Sequence, residues 1–128
     1  MKLKNIKIYN YRCFKEAEMD FDDHITLIVG KNGAGKTAIL DAVAVSVSTF
    51  LLGIDGGVSR SILKDDARYE FHDLNGTIDP QHQFPVNIKS TGDCLDQKDV
   101  KWIRSLNSES GKTTIKDAGE LTGLAKKA

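Results

Sequence analysis

Apolar and polar positions alternate over Lys2–Tyr11 (K-L-K-N-I-K-I-Y-N-Y), where Leu3, Ile6 and Ile8 sit among lysines. That period of two predicts a strand with one buried face. Alternation resumes over 16–21 (E-A-E-M-D-F), and the two strands are expected to pair antiparallel. Asp22, Asp23 and His24 form a turn signal. The unbroken apolar run 25–29 (I-T-L-I-V) then reads as a third, buried strand. The period changes to that of a helix after residue 35: Ile39, Val43, Val47 and Leu51 recur every four residues, with Leu40 and Ala44 beside them. Valines and Thr49 favour a strand by propensity, but length and context favour a helix from about Gly35 to Leu51 or Leu52, ended by Gly53 and the Gly56-Gly57 pair.

The pattern weakens beyond that point. Positions 58–66 read as a short helix or an irregular connection. Tyr69 to His72 and Thr77 to Asp79 flank Asn75-Gly76, a strong hairpin dipeptide. Positions 84–90 form a further strand, which Pro85 puts at a sheet edge or at its own start. Positions 100–106 form another, with Trp102 packed in that small sheet or, as the lesser alternative, stacked on a ligand. Residues 107–112 read as a loop and 114–127 as a final helix with Ile115, Leu121 and Leu124 apolar.

Composition narrows the picture modestly. The 128 residues carry 18 basic and 18 acidic side chains, so the formal charge is zero and gives no global argument for nucleic acid. Cys13 and Cys94 lie far apart and are expected to be reduced thiols rather than a disulfide or metal pair. His24, His72 and His82 lack metal-ligand spacing. The N-terminal alternation is unlike a signal peptide, and no apolar run is read as long enough to cross a bilayer. A cytoplasmic chain with no membrane partner is therefore the expectation.

The chemistry lies between strand and helix. Gly30-Lys31-Asn32-Gly33-Ala34-Gly35-Lys36-Thr37 fits G-x-x-x-x-G-K-[ST], the phosphate-binding P-loop. Glycines let the backbone curl so that successive N–H groups point inward as an anion nest. Lys36 would reach the β- and γ-phosphates, and the Thr37 hydroxyl would ligate Mg²⁺. Strand, glycine loop and helix, in that order, place the phosphates at a helix N-terminus. The competing reading is a glycine-rich turn that binds nothing.

Ile6, Ile8, Asn10, Tyr11, Arg12, Cys13 and Phe14, then Phe21, then the run from Ile25 through the P-loop to Ala42, resemble the N-terminal lobe of ABC-type ATPase heads of the SMC, RecF and OLD-like class. Within that class the likeness is to predicted AAA-type ATP-binding proteins of bacteria, some linked to virulence or phage defence. It covers about the first third of the chain and fits the remainder loosely. The implied fold class is α/β: a P-loop NTPase (ABC-ATPase-like) N-terminal lobe, β-rich, with a P-loop helix and a small antiparallel sheet. Residues 1–128 would form a single partial domain, with a nucleotide-binding core over 1–52, an irregular segment and antiparallel strands over 53–113, and a terminal helix over 114–128.

The resemblance also implies ATP and Mg²⁺ as cofactors. Asn32, Gly33, Ala34, Gly35, Lys36, Thr37 and Ala38 would wrap the phosphates, with Thr37 on the metal. Arg12 and Cys13 would lie near the base or the phosphates, Arg12 stacking on adenine or touching phosphate oxygens; the alternative for Arg12 is a solvent-facing strand end. Asp41 is expected to pack or make a polar contact rather than hold metal. A second head (a homodimer) and DNA are partners implied by resemblance alone, since Lys2, Lys4 and Lys7 read as a solvated strand face.

Several parts of such a head are missing from the pattern. No run of four apolar residues precedes an Asp-Glu pair, the carboxylates that hydrolysis needs. Leu121-Thr122-Gly123-Leu124 imitates the start of the signature motif but lacks its second glycine. Gln81, Gln83 and Gln97 are weak candidates for a metal-sensing glutamine. Ser110-Gly111-Lys112-Thr113 imitates a P-loop ending, but Leu106 stands where its first glycine should be.

The expectation is a front lobe of a larger ATPase, ended before its helical insertion and back lobe, that binds nucleotide but turns over little alone. Its setting would be DNA repair, DNA maintenance or anti-phage defence. A non-hydrolysing regulatory or assembly module is the alternative. A small-molecule kinase or GTPase is disfavoured because no N-K-x-D motif occurs.

Overall fold

A computed structural model describes residues 2–21, 34–54 and 57–126. The strand expected over 25–29, and P-loop residues 30–33 with Asn32 and Gly33, lie outside the described residues. Six strands and two helices are described: β1 (Lys2–Tyr11), β2 (Phe14–Asp20), α1 (Ala34–Ser48), β3 (Tyr69–Leu74), β4 (Thr77–His82), β5 (Val86–Cys94), β6 (Gln97–Leu106) and α2 (Gly119–Lys126).

β1 and β2 pair antiparallel, with Ile6 opposite Met19 and Ile8 opposite Ala17. Strands from the two expected stretches interleave, because the sheet order is β2-β1-β5-β6. Ile8 pairs with Ile88 across β1 and β5, so 1–52 and 53–113 share one antiparallel sheet. β5 is an interior strand, and Pro85 stands immediately before it, where its missing N–H costs no ladder bond. The Asn75-Gly76 hairpin forms as expected: both residues have positive φ, 54° and 82°, the requirement of its tight turn. β3 and β4 make their own two-stranded ribbon. Its Tyr69 ring lies 4.0 Å from that of His82, while Phe71 and Ile78 are exposed.

One face of the main sheet is covered by the helices. Ile6, Ile8, Val86, Ile88 and Leu106 form a core with Ala38, Ala42 and Val45 of α1, closed by Ile62 and Ala67 from the connection. A second cluster joins Cys94, Val100 and Trp102 to Ala118 and Leu121. Trp102 is thus a core residue, 1% exposed, and its indole N–H donates to the Ser46 carbonyl at 3.0 Å.

α1 ends earlier than its apolar period suggests. Thr49 Oγ1 turns back to the Val45 carbonyl at 2.8 Å, and the chain tightens into a 3₁₀ turn over Thr49–Gly53. Gly53 serves close approach, since a Cβ there would sit 2.2 Å from the Thr122 carbonyl oxygen of α2. The connection 57–63 is irregular before a 3₁₀ turn at Lys64–Asp66.

The final helix is shorter than expected because 113–115 is tied to the sheet. The Thr114 N–H donates to Ser105 O at 2.8 Å, and its carbonyl accepts from Arg104 Nε at 2.8 Å. Ile115 is accordingly exposed rather than on a buried face.

The bilayer expectation also needs correction. Gly35–Gly53 is long and apolar enough by composition to span one, with 19 residues and mean hydropathy 1.4. Lys36 and Asp41 do not outweigh its alanine, valine and leucine content. In the fold this segment is a core helix on one side, with Ala38, Ala42, Val45, Ser46 and Thr49 buried.

Candidate functional site

α1 begins at Ala34, so Gly35, Lys36 and Thr37 stand in its first turn, which contains no acidic residue. The first four N–H groups of a helix lack intrahelical partners, and the macrodipole places partial positive charge there. Lys36 is half-buried, Thr37 is exposed, and Ala38 is fully buried against the sheet. The buried alanine anchors the turn while the ammonium and hydroxyl of the two preceding residues stay outside the core. Among the described residues, the first-turn amides, an ammonium and a hydroxyl stand together with no carboxylate in that turn, a set suited to a polyphosphate and its Mg²⁺.

The turn between β1 and β2 lies against this end. A Cβ built on Gly35 would be 3.5 Å from Phe14 Cζ and 3.9 Å from Cys13 Sγ, ordinary contact distances. Cys13 is exposed and Cys94 buried. Arg12 is not a solvent-facing strand end. Its Nη1 meets Asp41 Oδ2 at 2.6 Å and its Nε donates to Asp66 Oδ1 at 3.0 Å. Partial burial works against the Arg12 charge, but hydrogen bonding to Asp41, the nearby Tyr11 and the contact with Asp66 outweigh it and hold the pKa above its ordinary value.

Asp41 makes the expected polar contact, pairing with Arg60 Nη2 at 3.1 Å as well as with Arg12. Asp66 and Arg60 escaped the sequence reading, since a carboxylate at the end of an irregular connection carries no periodic signal. Tyr11, 1% exposed, has its phenol pushed up to about 12 by burial and by the neighbouring Asp66.

The weaker candidates disperse. Gln83 Nε2 donates to the Gln81 carbonyl beside the end of β4, whereas Gln97 opens β6 opposite Cys94. Leu121 to Leu124 lies within α2, Leu121 in the core. Lys7 pairs with Glu18 at 3.1 Å and Lys4 with Asp99 at 2.9 Å. Among the described residues no group of three or more His, Cys, Asp or Glu could hold a metal ion.

A family model described as "AAA domain" matches residues 5–127. The chain belongs to the AAA domain family. Its relatives place this AAA domain more finely. It is 34% identical over 89 residues to the DNA replication and repair protein RecF of Chlorobium phaeobacteroides, covering 70% of this chain and 23% of that protein. RecF of Flavobacterium johnsoniae is 51% identical over 43 residues, 34% of this chain and 12% of the relative. The DNA double-strand break repair Rad50 ATPase of Pyrococcus abyssi is 43% identical over 47 residues, 37% of this chain and 5% of the relative. The chain therefore spans less than a quarter of each of these three proteins.

A solved structure from work on "ATP-driven dimerization and DNA stimulated activation of SMC ATPases" shares the fold. Its TM-score is 0.59 over 98% of this chain and 80% of the other, at 18% identity. The AAA domain described here is an α/β N-terminal lobe of the SMC/RecF-like, ABC-type P-loop ATPase kind.

Proposed function

We propose that this lobe binds Mg·ATP at the N-terminal end of α1, as part of an ATPase acting in DNA repair or maintenance. The observation that carries the reading is the acid-free first turn of α1, with Lys36 and Thr37 outside the core and Ala38 anchored within it. Lys36 would pair with phosphate oxygens, and Thr37, with the amides of 34–38, would complete the phosphate and metal contacts. Bound Mg²⁺ supplies charge neutralisation of the phosphates. Asn32 and Gly33 belong to the same proposed cradle.

The SMC work concerns ATP-driven dimerization and DNA-stimulated activation, which supports a second head and DNA as partners in the whole protein. Anti-phage defence remains a narrower version of the same proposal, and the cytoplasm its setting. Hydrolysis would need a complete head pair, because the sequence offers no apolar strand ending in Asp-Glu. That same feature favours a second reading, a nucleotide-responsive module that never hydrolyses.

Calorimetric titration of the chain with Mg·ATP tests the proposal. Lys36→Ala should weaken binding about 10- to 100-fold, the loss of one or two charge-assisted hydrogen bonds. Equal affinity for wild type and variant would refute it.

A further inference from the structure

Asp66 uses two of its three acceptor oxygens to grip the β1–β2 turn and the third to close its own turn. Its carbonyl accepts the Arg12 N–H at 2.6 Å, its Oδ1 accepts Arg12 Nε at 3.0 Å, and its Oδ2 accepts the Leu63 N–H at 2.9 Å. The residue is only 7% exposed. From the other flank Asp41 holds the same guanidinium at 2.6 Å. Arg12 needs such a grip, because its φ of 52° lies in the left-handed region that a non-glycine residue adopts only when its surroundings impose it. The next two residues, Cys13 and Phe14, are the ones that face Gly35. Asp41 lies five residues beyond Lys36, about 7.5 Å along the helix axis. The guanidinium thus reaches the body of α1 through Asp41.

We propose that Asp66 is a positioning residue for nucleotide binding: through Arg12 it holds the 12–14 turn against the first turn of α1 and sets where Lys36 and the free amides point. This role rests on the nucleotide reading given above. Arg12 links three segments (the β1–β2 turn, α1 and the 64–66 turn), so loosening any one of them shifts the helix start.

The test is a double-mutant cycle in the intact chain, read by Mg·ATP affinity and by the rate at which Cys13 reacts with a disulfide reagent. Cys94 is buried and stays silent while the chain is folded. Asp66→Asn and Arg12→Ala should each weaken ATP about five- to ten-fold, and the double variant should be no weaker than Arg12→Ala. Asp66→Glu keeps the carboxylate and should remain within about two-fold of wild type. Cys13 should react several-fold faster in both single variants.

Additive losses, unchanged affinity in Asp66→Asn, or unchanged Cys13 rates would overturn the role. Should Asp66→Asn fail to fold, Asp41→Asn, at the more exposed end of the bridge, enters the same cycle and is judged by the same outcomes. If Lys36→Ala binds like wild type, the nucleotide reading and this role fall together. If Lys36→Ala is impaired while Asp66→Asn is not, only this role falls.

Discussion

The two ends of α1 are built on opposite terms. At its C-terminal end buried polar groups are paired: Trp102 donates to the Ser46 carbonyl, Ser46 meets Ser90, and Arg104 Nη1 reaches Thr49 Oγ1 at 3.1 Å and Ser59 Oγ at 3.0 Å. Burial pushes the Arg104 guanidinium below its ordinary pKa. As a cation beside the helix C-terminus, it still gains from the macrodipole. At the N-terminal end Lys36 and Thr37 stand outside the core, and a Cβ on Gly35 would meet the neighbouring turn at van der Waals distance. One end is fixed by buried hydrogen bonds, and the other presents Lys36 and Thr37 outside the core. The rigid end gives the open end a stable base, as a preorganised site requires.

Breaking the closed end should have the largest effect. Trp102→Ala removes the largest fully buried side chain and orphans the Ser46 carbonyl. It is expected to cost about 3–5 kcal/mol of stability, read as a lowered urea midpoint.

A matched pair of substitutions sharpens the contrast next. Gly53→Ala would press a methyl 2.2 Å from the Thr122 oxygen and 2.6 Å from Ala125 Cβ, costing about 1–3 kcal/mol by overpacking. Among the described residues Gly35→Ala meets nothing closer than 3.5 Å, and it should leave stability unchanged or raise it by about 0.5–1 kcal/mol through helix propensity. Its methyl beside the proposed phosphates should instead appear as weaker Mg·ATP binding. Equal destabilisation by the two variants would contradict the asymmetry.

The last expected effect concerns pH and shows only in alkali. Tyr11 holds its proton more tightly folded, at about 12, than its ordinary 10.0. That contribution is complete below pH 10 and is lost as pH rises toward 12. The thermal midpoint should therefore fall across this alkaline window, and Tyr11→Phe should flatten the fall.

How much of this was legible depended on whether the signal was local. Alternation in β1 and β2 and the Asn75-Gly76 turn are written within a few residues and stand where expected, and the helix expected after the glycine loop begins at Ala34. The seating of β5 between β1 and β6 is a long-range pairing, with Ile6 opposite Ser90, that no short window encodes. The non-helical stretch at 113–115 depends on Arg104 and Ser105 holding Thr114, so helix propensity lost to tertiary hydrogen bonds. Asp66 is the same kind of omission, a side chain whose role exists only once Arg12 folds beside it.

The interleaved sheet has a consequence for how small a working piece can be made. A fragment ending before Val86 would retain the P-loop and all of α1. It would also strip β1 of one neighbour and remove Val86, Ile88 and Leu106, on which the inner side of that helix rests. The shortest autonomous version of this module is set by the arrival of its fifth and sixth strands, well beyond the stretch that carries its recognisable chemistry.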